Sequence, residues 1–490
     1  MKPKILFINP CVRPDTPKKI INVGLAYVVS AVQRAGYEFQ ILDIDAHRYS
    51  NDYLTEYFRK NQFDVVAVGT LVSMYAEMKE LAALIRRYNE KTLLVAGNTL
   101  ATSIPEILLR LTDFDIVVLG EGEAATQELL GAIKNKTELR AVKGIGFLDN
   151  GEYIKTPSQN LIPDLDKIGV PNYELFDLDV YLGASKHHVP APHKLPIGFE
   201  DLKAFPINTA RGCPFRCTFC FHAFQGTKYR TRSPKNIVAE IALLKEKYGI
   251  NFVNFWDELT WASPGEAEEF CDEMIRQKLE VHWIASCRSE LLVRKTGGER
   301  IARKMKEAGC HGLAFSLESG SPRILDSMRK LNTVEEFIEQ SNLLYDQEID
   351  VFSSIIIGYP EECPDTIDET FEVMERAKAY PSVGFLQLMP GTPMYELGKT
   401  MGKIEDDESY LIKMGDRQDL RINLTSYDDA FLMDYTTEKL SQLSQKFGMS
   451  LGDDQLIKSK TWRGSTKLRH DNFVEDFGIS GSVLKESNFS

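Results

Sequence analysis

Short β-branched, apolar runs alternate with amphipathic stretches over the first 135 residues. Residues 5–9, 39–43, 65–70, 93–96 and 116–119 are apolar without polar alternation, as strands buried on both faces of a parallel sheet are. Between them, 23–35, 53–60, 75–88, 104–111 and 124–133 carry apolar residues at helical spacing. Five such units predict an open, doubly wound α/β sheet with a ligand at the carboxyl ends of its strands. Residues 144–155 read as a hairpin turning at Asp149-Asn150-Gly151. Residues 157–205 are rich in Pro, Asp and Gly and hold no clear period, so they read as a linker. Its histidines, His187, His188 and His193, read as solvated loop residues.

A second βα series follows. Its strands are expected at 207–210, 252–256, 283–286, 313–317, 351–357 and 384–388. Its helices are expected at 237–248, 266–278, 299–308, 334–345 and 367–379, with a helical turn at 322–328. Six strands with intervening helices fit a partial parallel barrel, whose chemistry sits at the strand carboxyl ends. Beyond residue 400 the pattern turns polar and mostly helical, and Glu405-Asp406-Asp407-Glu408 reads as a solvated face or loop.

Charge narrows the partners. The 490 residues carry 58 Lys and Arg against 71 Asp and Glu, a net charge of −13. That balance disfavours nucleic acid and anionic membrane surfaces. No apolar run approaches the roughly 20 residues that span a bilayer. The start, Met1 to Phe7, lacks an apolar core followed by a small-residue cleavage site, so a cytoplasmic location is expected.

Eight cysteines stand at positions 11, 213, 217, 220, 271, 287, 310 and 363. Five are scattered, and such cysteines are most often small buried hydrophobes. The other three form Cys213-x3-Cys217-x2-Cys220, directly after the first strand of the second series. Structural zinc takes four closed ligands. An ordinary 4Fe–4S electron carrier takes four thiolates. Three thiolates leave one iron open, and an open coordination position is what catalysis needs.

Cys213-x3-Cys217-x-Phe219-Cys220 resembles the signature of the radical S-adenosylmethionine (SAM) enzymes, including the aromatic residue before the third Cys. The resemblance implies a 4Fe–4S cluster on Cys213, Cys217 and Cys220 as metal and catalytic centre, with SAM on the open iron beside Phe219. Arg211 and Arg216 would offset the local negative charge. Four further segments at successive strand ends resemble SAM-contacting motifs of the family. Asn254-Phe255-Trp256-Asp257-Glu258 implies a carboxylate on the SAM ammonium, Asp257 or Glu258 according to strand parity. Ser316-Leu317-Glu318-Ser319-Gly320-Ser321 resembles the ribose segment and brings in Glu318 and Ser319. The adenine-contacting motif is matched by 355–361, with Ser353, Gly358 and Glu361 as candidates, although Ser354 replaces its first glycine. The closing Pro-Gly-Thr-Pro segment at 390–393 follows Gln387, a further candidate.

Residues 5–135 resemble the cobalamin-binding domain often found ahead of such a barrel. The candidates this implies are Asn9 at the first strand and Thr70, Leu71, Val72, Ser73, Met74 and Tyr75 after the third. Gly97, Asn98 and Thr99 follow the fourth, and Gly120, Glu121, Gly122 and Glu123 the fifth. Glycines admit a flat ligand to the backbone, and hydroxyls bond its amides. Members that ligate cobalt through histidine carry Asp-x-His-x-x-Gly after the first strand. The loop 10–19 holds no His, and His47, in Asp45-Ala46-His47, reads as an ordinary strand-end residue. The lower face of cobalt is then open, or faces water or a residue of 71–75.

The implied organisation is a Rossmann-like cobalamin-binding domain over 1–140, a hairpin and linker over 141–204, a partial (β/α)6 radical SAM barrel over 205–395 and a mainly helical, substrate-shaping region over 396–490. The implied activity is cobalamin-dependent C-methylation of an unactivated carbon of a small molecule. The methyl group passes from SAM by way of cobalamin, and a second SAM is the radical source. Cofactors are the cluster, SAM and cobalamin. An external low-potential electron donor such as flavodoxin or ferredoxin is implied. Cyclisation or rearrangement on the same architecture stays open, as does a non-catalytic cobalamin or redox sensor. A methylthiotransferase would carry further N-terminal cluster cysteines, and only Cys11 stands there; no Cys follows Cys363 for auxiliary clusters.

Overall fold

The computed structural model describes residues 2–14, 16–224, 227–415 and 420–448. The five early apolar runs form β1 (Ile5–Asn9), β2 (Phe39–Asp43), β3 (Val65–Gly69), β4 (Leu93–Gly97) and β5 (Ile116–Val118). They pair in parallel in the order β2-β1-β3-β4-β5. The hairpin β6 (Ile145–Asp149) and β7 (Glu152–Lys155) extends this sheet antiparallel from β5. Helix Val23–Arg34 packs on Gly122–Asn135, and Asn51–Lys60 on Tyr75–Tyr88. Right-handed crossovers put these two pairs on opposite faces, which is why the strands are apolar throughout. The strand order reverses between β1 and β3, the switch point at which such sheets bind ligands.

The second series begins with β8 (Ala204–Ile207), followed by a two-residue ribbon of β9 (Ala210–Arg211) and β10 (Arg230–Thr231). β11 (Phe252–Phe255), β12 (His282–Ser286), β13 (Cys310–Ala314), β14 (Asp350–Ile357) and β15 (Pro381–Phe385) complete a parallel six-stranded sheet with β8 and β15 at its edges. Its helices start sharply. Pro234–Tyr248, Pro264–Gln277 and Pro364–Arg376 place proline in the first turn, where no N–H is needed. Ser263 with Glu266 and Thr333 with Glu336 form capping boxes.

Three strands lie three residues before their expected places: 204–207 against 207–210, 310–314 against 313–317, and 381–385 against 384–388. After β13 and β15 the buried apolar run continues past the regular strand, with Phe315 N still donating to Phe352 O at 3.0 Å and Leu386 N to Ile357 O at 2.8 Å. Phe315, Leu317, Leu386 and Leu388 are all at most 2% exposed although none is in a strand. Gly320 is required in one of these segments, because a Cβ there would lie 2.5 Å from the Glu369 carbonyl oxygen.

The stretch 157–205 is more ordered than its lack of period predicts. Leu178–Ala184 is a helix, and Tyr173 and Phe176 join the main core. Val189 with Leu195 and Ile197 plugs the barrel against Leu202, Ala204, Phe252, Ile284 and Phe352. His188, expected to be solvated, is half-buried with Nε2 3.0 Å from the Lys19 carbonyl oxygen. Helices Pro393–Thr400, Asp407–Met414 and Asp429–Lys446 follow the barrel. The expected helical region from 449 to 490 lies outside the described residues. The acidic run is only partly solvated: Asp407 accepts from the Tyr395 hydroxyl at 2.6 Å and Glu408 from the Tyr75 hydroxyl at 2.9 Å. Glu408 also pairs with Lys79, which ties this region to the first sheet. Of the scattered cysteines, Cys271, Cys287 and Cys310 are buried, whereas Cys11 and Cys363 are partly exposed. Among the described residues no helix is long and apolar enough to cross a membrane.

Candidate active site

After β8 the chain crosses the carboxyl end of the sheet with the cysteine triplet. Asp257, just past β11, holds the start of this loop. Its carboxylate accepts from Thr209 N at 2.7 Å, Ala210 N at 3.0 Å and Thr209 Oγ1 at 2.7 Å. Burial pushes the Asp257 pKa up to about 6 against these donors. Asp257 is thus a clamp on the loop. Glu258 stays accessible, has no ion-pair partner among the described residues, and is near enough to raise the Cys213 pKa.

Gly212 enters the loop at φ +85°. Thr218 then fastens it from three sides. Its N–H donates to Met328 O at 3.0 Å, its hydroxyl to Ser327 O at 3.0 Å, and the Tyr359 hydroxyl lies 2.9 Å away. Cys213 and Cys217 are half-buried and Cys220 is exposed. Burial, and then for Cys213 and Cys220 the neighbouring Cys217, raise their thiol pKa values. Two cations oppose this. Arg288, 3.8 Å above the Phe215 ring, favours the thiolates of Cys213 and Cys217, and Lys330, 5.6 Å above the Phe219 ring, those of Cys217 and Cys220. Among the described residues no three His, Cys, Asp or Glu are placed to hold a single metal ion. Three neighbouring thiols flanked by two cations suit a larger, negatively charged iron–sulfur cluster, whose iron would deprotonate them.

The inner face of the barrel carries Ser316, Ser354 and Glu318. Ser316 Oγ and Ser354 Oγ are 2.6 Å apart, Ser354 Oγ donates to Glu318 Oε2 at 3.3 Å, and Lys330 Nζ lies 3.0 Å from Glu318 Oε1. Glu318 is held at φ +72°, a conformation unusual outside glycine and frequent at functional sites. The structure gives several of the expected SAM contacts other partners or places. Ser353 lies on the opposite face of β14 from Ser354, beside fully buried Ile355, because side chains alternate along a strand. Ser319 turns outward to Thr370 Oγ1 at 3.3 Å. Glu361 is exposed and accepts from Ser327 Oγ at 3.1 Å. Gln387 donates to Gly415 O at 3.1 Å and so holds the C-terminal region.

Gly358, at φ +111°, donates its N–H to Glu362 Oε2 at 3.3 Å. Burial raises the Glu362 pKa from 4.5 to about 7. The folded chain therefore keeps this proton over a range in which the unfolded chain has lost it. Stability is expected to fall as pH rises from 4.5 to about 7. Glu362→Gln is expected to flatten that slope, read from urea midpoints across the window.

At the first sheet, Gly69 and Gly97 pair across β3 and β4, Leu71 is 43% exposed, and Asn98 is exposed at φ +63°. With Gly120 and half-buried Ser73 they form a ledge of small, apolar and amide groups at three strand ends, which fits a flat macrocycle. Other candidates are committed elsewhere. Asn9 donates to Asp43 Oδ1 at 2.9 Å and to the Tyr181 hydroxyl at 2.8 Å. Val72, Met74 and Tyr75 belong to the core. Thr99 Oγ1 accepts from Val72 N at 3.1 Å, Thr70 is buried, and Gly122 abuts Val28. His47 stacks on Tyr49 and lies 3.7 Å from Asp177.

Glu121 and Glu123 are engaged by arginines of the second domain. Arg211 lies 3.0 Å from Glu121 Oε1 and bonds Glu123, and Arg230 lies 2.8 Å from the same Glu121 oxygen. Arg211, two residues before Cys213, thus bolts the cysteine loop to the end of β5. Ledge and triplet are held together by this buried network.

Residues 207–374 match the model of the radical SAM superfamily, and residues 13–130 that of the B12 binding domain. The chain carries a radical SAM domain and a B12 binding domain. An uncharacterized methyltransferase of Pyrococcus horikoshii is 28% identical over 452 residues, 90% of this chain and 91% of that protein. The anaerobic magnesium-protoporphyrin IX monomethyl ester cyclase of Cereibacter sphaeroides is 29% identical over 356 residues, 71% of this chain but 55% of the cyclase. The radical SAM methyltransferase TsrM of Kitasatospora setae, solved with cobalamin and a 4Fe–4S cluster, shares the fold. Its TM-score is 0.65 at 20% identity, over 82% of this chain and 79% of that one. The B12-binding radical SAM architecture read from the sequence is therefore the observed one. Thr218, Arg288 and Lys330 were not singled out by the sequence, and Ser354 only as a replacement for a motif glycine, since each acts through partners on other elements.

Proposed function

We propose that this radical SAM enzyme is a cobalamin-dependent C-methyltransferase acting on an unactivated carbon of a small molecule. The observation that carries the reading is the Arg211–Glu121–Arg230 network, which makes the strand-end ledge of the first sheet and the cysteine loop one assembly. When bound, SAM at the cluster supplies a hydrogen-abstracting radical and cobalamin supplies a methyl group. Cys213, Cys217 and Cys220 hold the cluster as thiolates, and Arg288 and Lys330 offset its charge. Glu258 receives the SAM ammonium, Glu318 and Ser354 the ribose hydroxyls, and the Gly358 backbone the adenine, beside Phe219. Leu71, Asn98, Gly69, Gly97 and Gly120 carry the corrin. The buried segments around Leu317 and Leu388 exclude water from the barrel end. A low-potential flavodoxin or ferredoxin in the cytoplasm supplies electrons. Ring closure is the second reading, favoured by the identity with the cyclase over 71% of this chain.

Anaerobic reconstitution with iron, sulfide and hydroxocobalamin, followed by SAM and dithionite, tests this. Both 5′-deoxyadenosine and S-adenosylhomocysteine are expected, the second only when cobalamin is present. 5′-Deoxyadenosine alone favours ring closure. Neither product from fully loaded protein leaves a sensor.

A further inference from the structure

A cleft with an open mouth lies where the linker helix, the loop after β1 and the inner face of β8 and β11 meet. Among the described residues, Lys19 is the only formally charged one lining it, and no carboxylate does. The Lys19 ammonium donates to the Ala46 carbonyl oxygen and has no acidic partner among the described residues. Asn254 projects into the same cleft. It is 2% exposed, and its amide has no hydrogen-bond partner among the described residues. Amide atoms on the wall of a cleft can bond a ligand's oxygens.

The remaining walls are apolar or neutral. Trp256 is 37% exposed although it faces inward, and the His188 ring meets it edge to face at 5.8 Å. His188 Nε2 faces the Lys19 carbonyl, which only accepts, so Nε2 carries the hydrogen and Nδ1 is an acceptor. Burial, and then Lys18, push its pKa down to about 3, so the ring adds no charge at neutral pH. Leu182 and Pro206 complete an apolar lining.

We propose that this cleft seats the oxyanion end of the substrate, a carboxylate or a phosphate or phosphonate carried on an apolar body. The Lys19 ammonium and the Asn254 amide hold the oxygens, and Trp256 packs on the body. A cation with no acidic partner, beside an amide in a cleft with no carboxylate among the described residues, selects an anion over an amide or a cation. The inference deepens the proposed function, because it assumes that the barrel acts on a bound small molecule.

Calorimetric titration of the reconstituted full-length protein with 2-naphthoate and with 2-naphthamide tests it at neutral pH. The acid is expected to bind about tenfold more tightly than the amide, the scale of one charge-assisted hydrogen bond. Lys19→Gln is expected to erase that preference, Lys19→Arg to keep it, and Asn254→Ala to weaken the acid alone. Equal binding of acid and amide, or no binding of the acid, overturns the proposal, as does an unchanged preference in Lys19→Gln. 5′-Deoxyadenosine is measured on the same preparation. A preference for the acid without that product removes the proposed activity and keeps the anion seat; the product without the preference removes the seat alone.

Discussion

Cys217→Ala is expected to lower 5′-deoxyadenosine formation at least about 100-fold, because even changes outside the ligand set of a metal site typically cost 10–100-fold. The Cys217 thiol raises the pKa of both Cys213 and Cys220. Its neighbour Thr218 makes the three contacts that pin the loop to Ser327, Met328 and Tyr359. Alanine keeps those backbone contacts and removes only the thiolate. The measurement is chromatography of the product after anaerobic reconstitution, with iron and sulfide counted on the same sample. A variant that loads iron and sulfide fully and still forms the product at the parental rate would sink the cluster assignment. Thr218→Val is the companion variant. It leaves all three thiols in place and removes a hydroxyl, so its iron content separates ligation from loop placement.

Arg211→Met is expected to lower folding stability by about 3–5 kcal/mol, the usual cost of stranding one member of a buried ion pair. Glu123 has no other cation among the described residues, and the side chains of Arg211, Glu121 and Glu123 are 12%, 3% and 9% exposed. Glu121 keeps Arg230, which also donates to Ile162 O at 2.7 Å, so the contact is weakened rather than abolished. Arg216→Met is the control. Arg216 is exposed, and surface changes of this kind usually stay within about 0.5 kcal/mol. Urea denaturation of both variants decides the matter. Equal midpoints would mean that the network does not couple the first sheet to the cysteine loop.

The sequence by itself determined the order and kind of the elements, because burial on both faces of a parallel strand and on one stripe of a helix is written into neighbouring residues. It determined the cysteine triplet for the same reason, since Cys213, Cys217 and Cys220 lie within eight residues. Strand ends were less legible, as Leu317 and Leu388 show, because an apolar residue records burial and not pairing. The site's finer assignments were decided by tertiary structure alone. Asp257 and Glu258 are adjacent carboxylates, and only the loop at Thr209 and Ala210 makes one of them a clamp. Ser353 and Ser354 differ only in which face of β14 they occupy, and that follows from register against β13 and β15. Glu121 meets Arg211 across 90 residues of chain, and His188 meets Lys19 across 169. Such partners are chosen by how two sheets dock. Docking is set by the summed burial of many side chains, and no local pattern in the sequence encodes it.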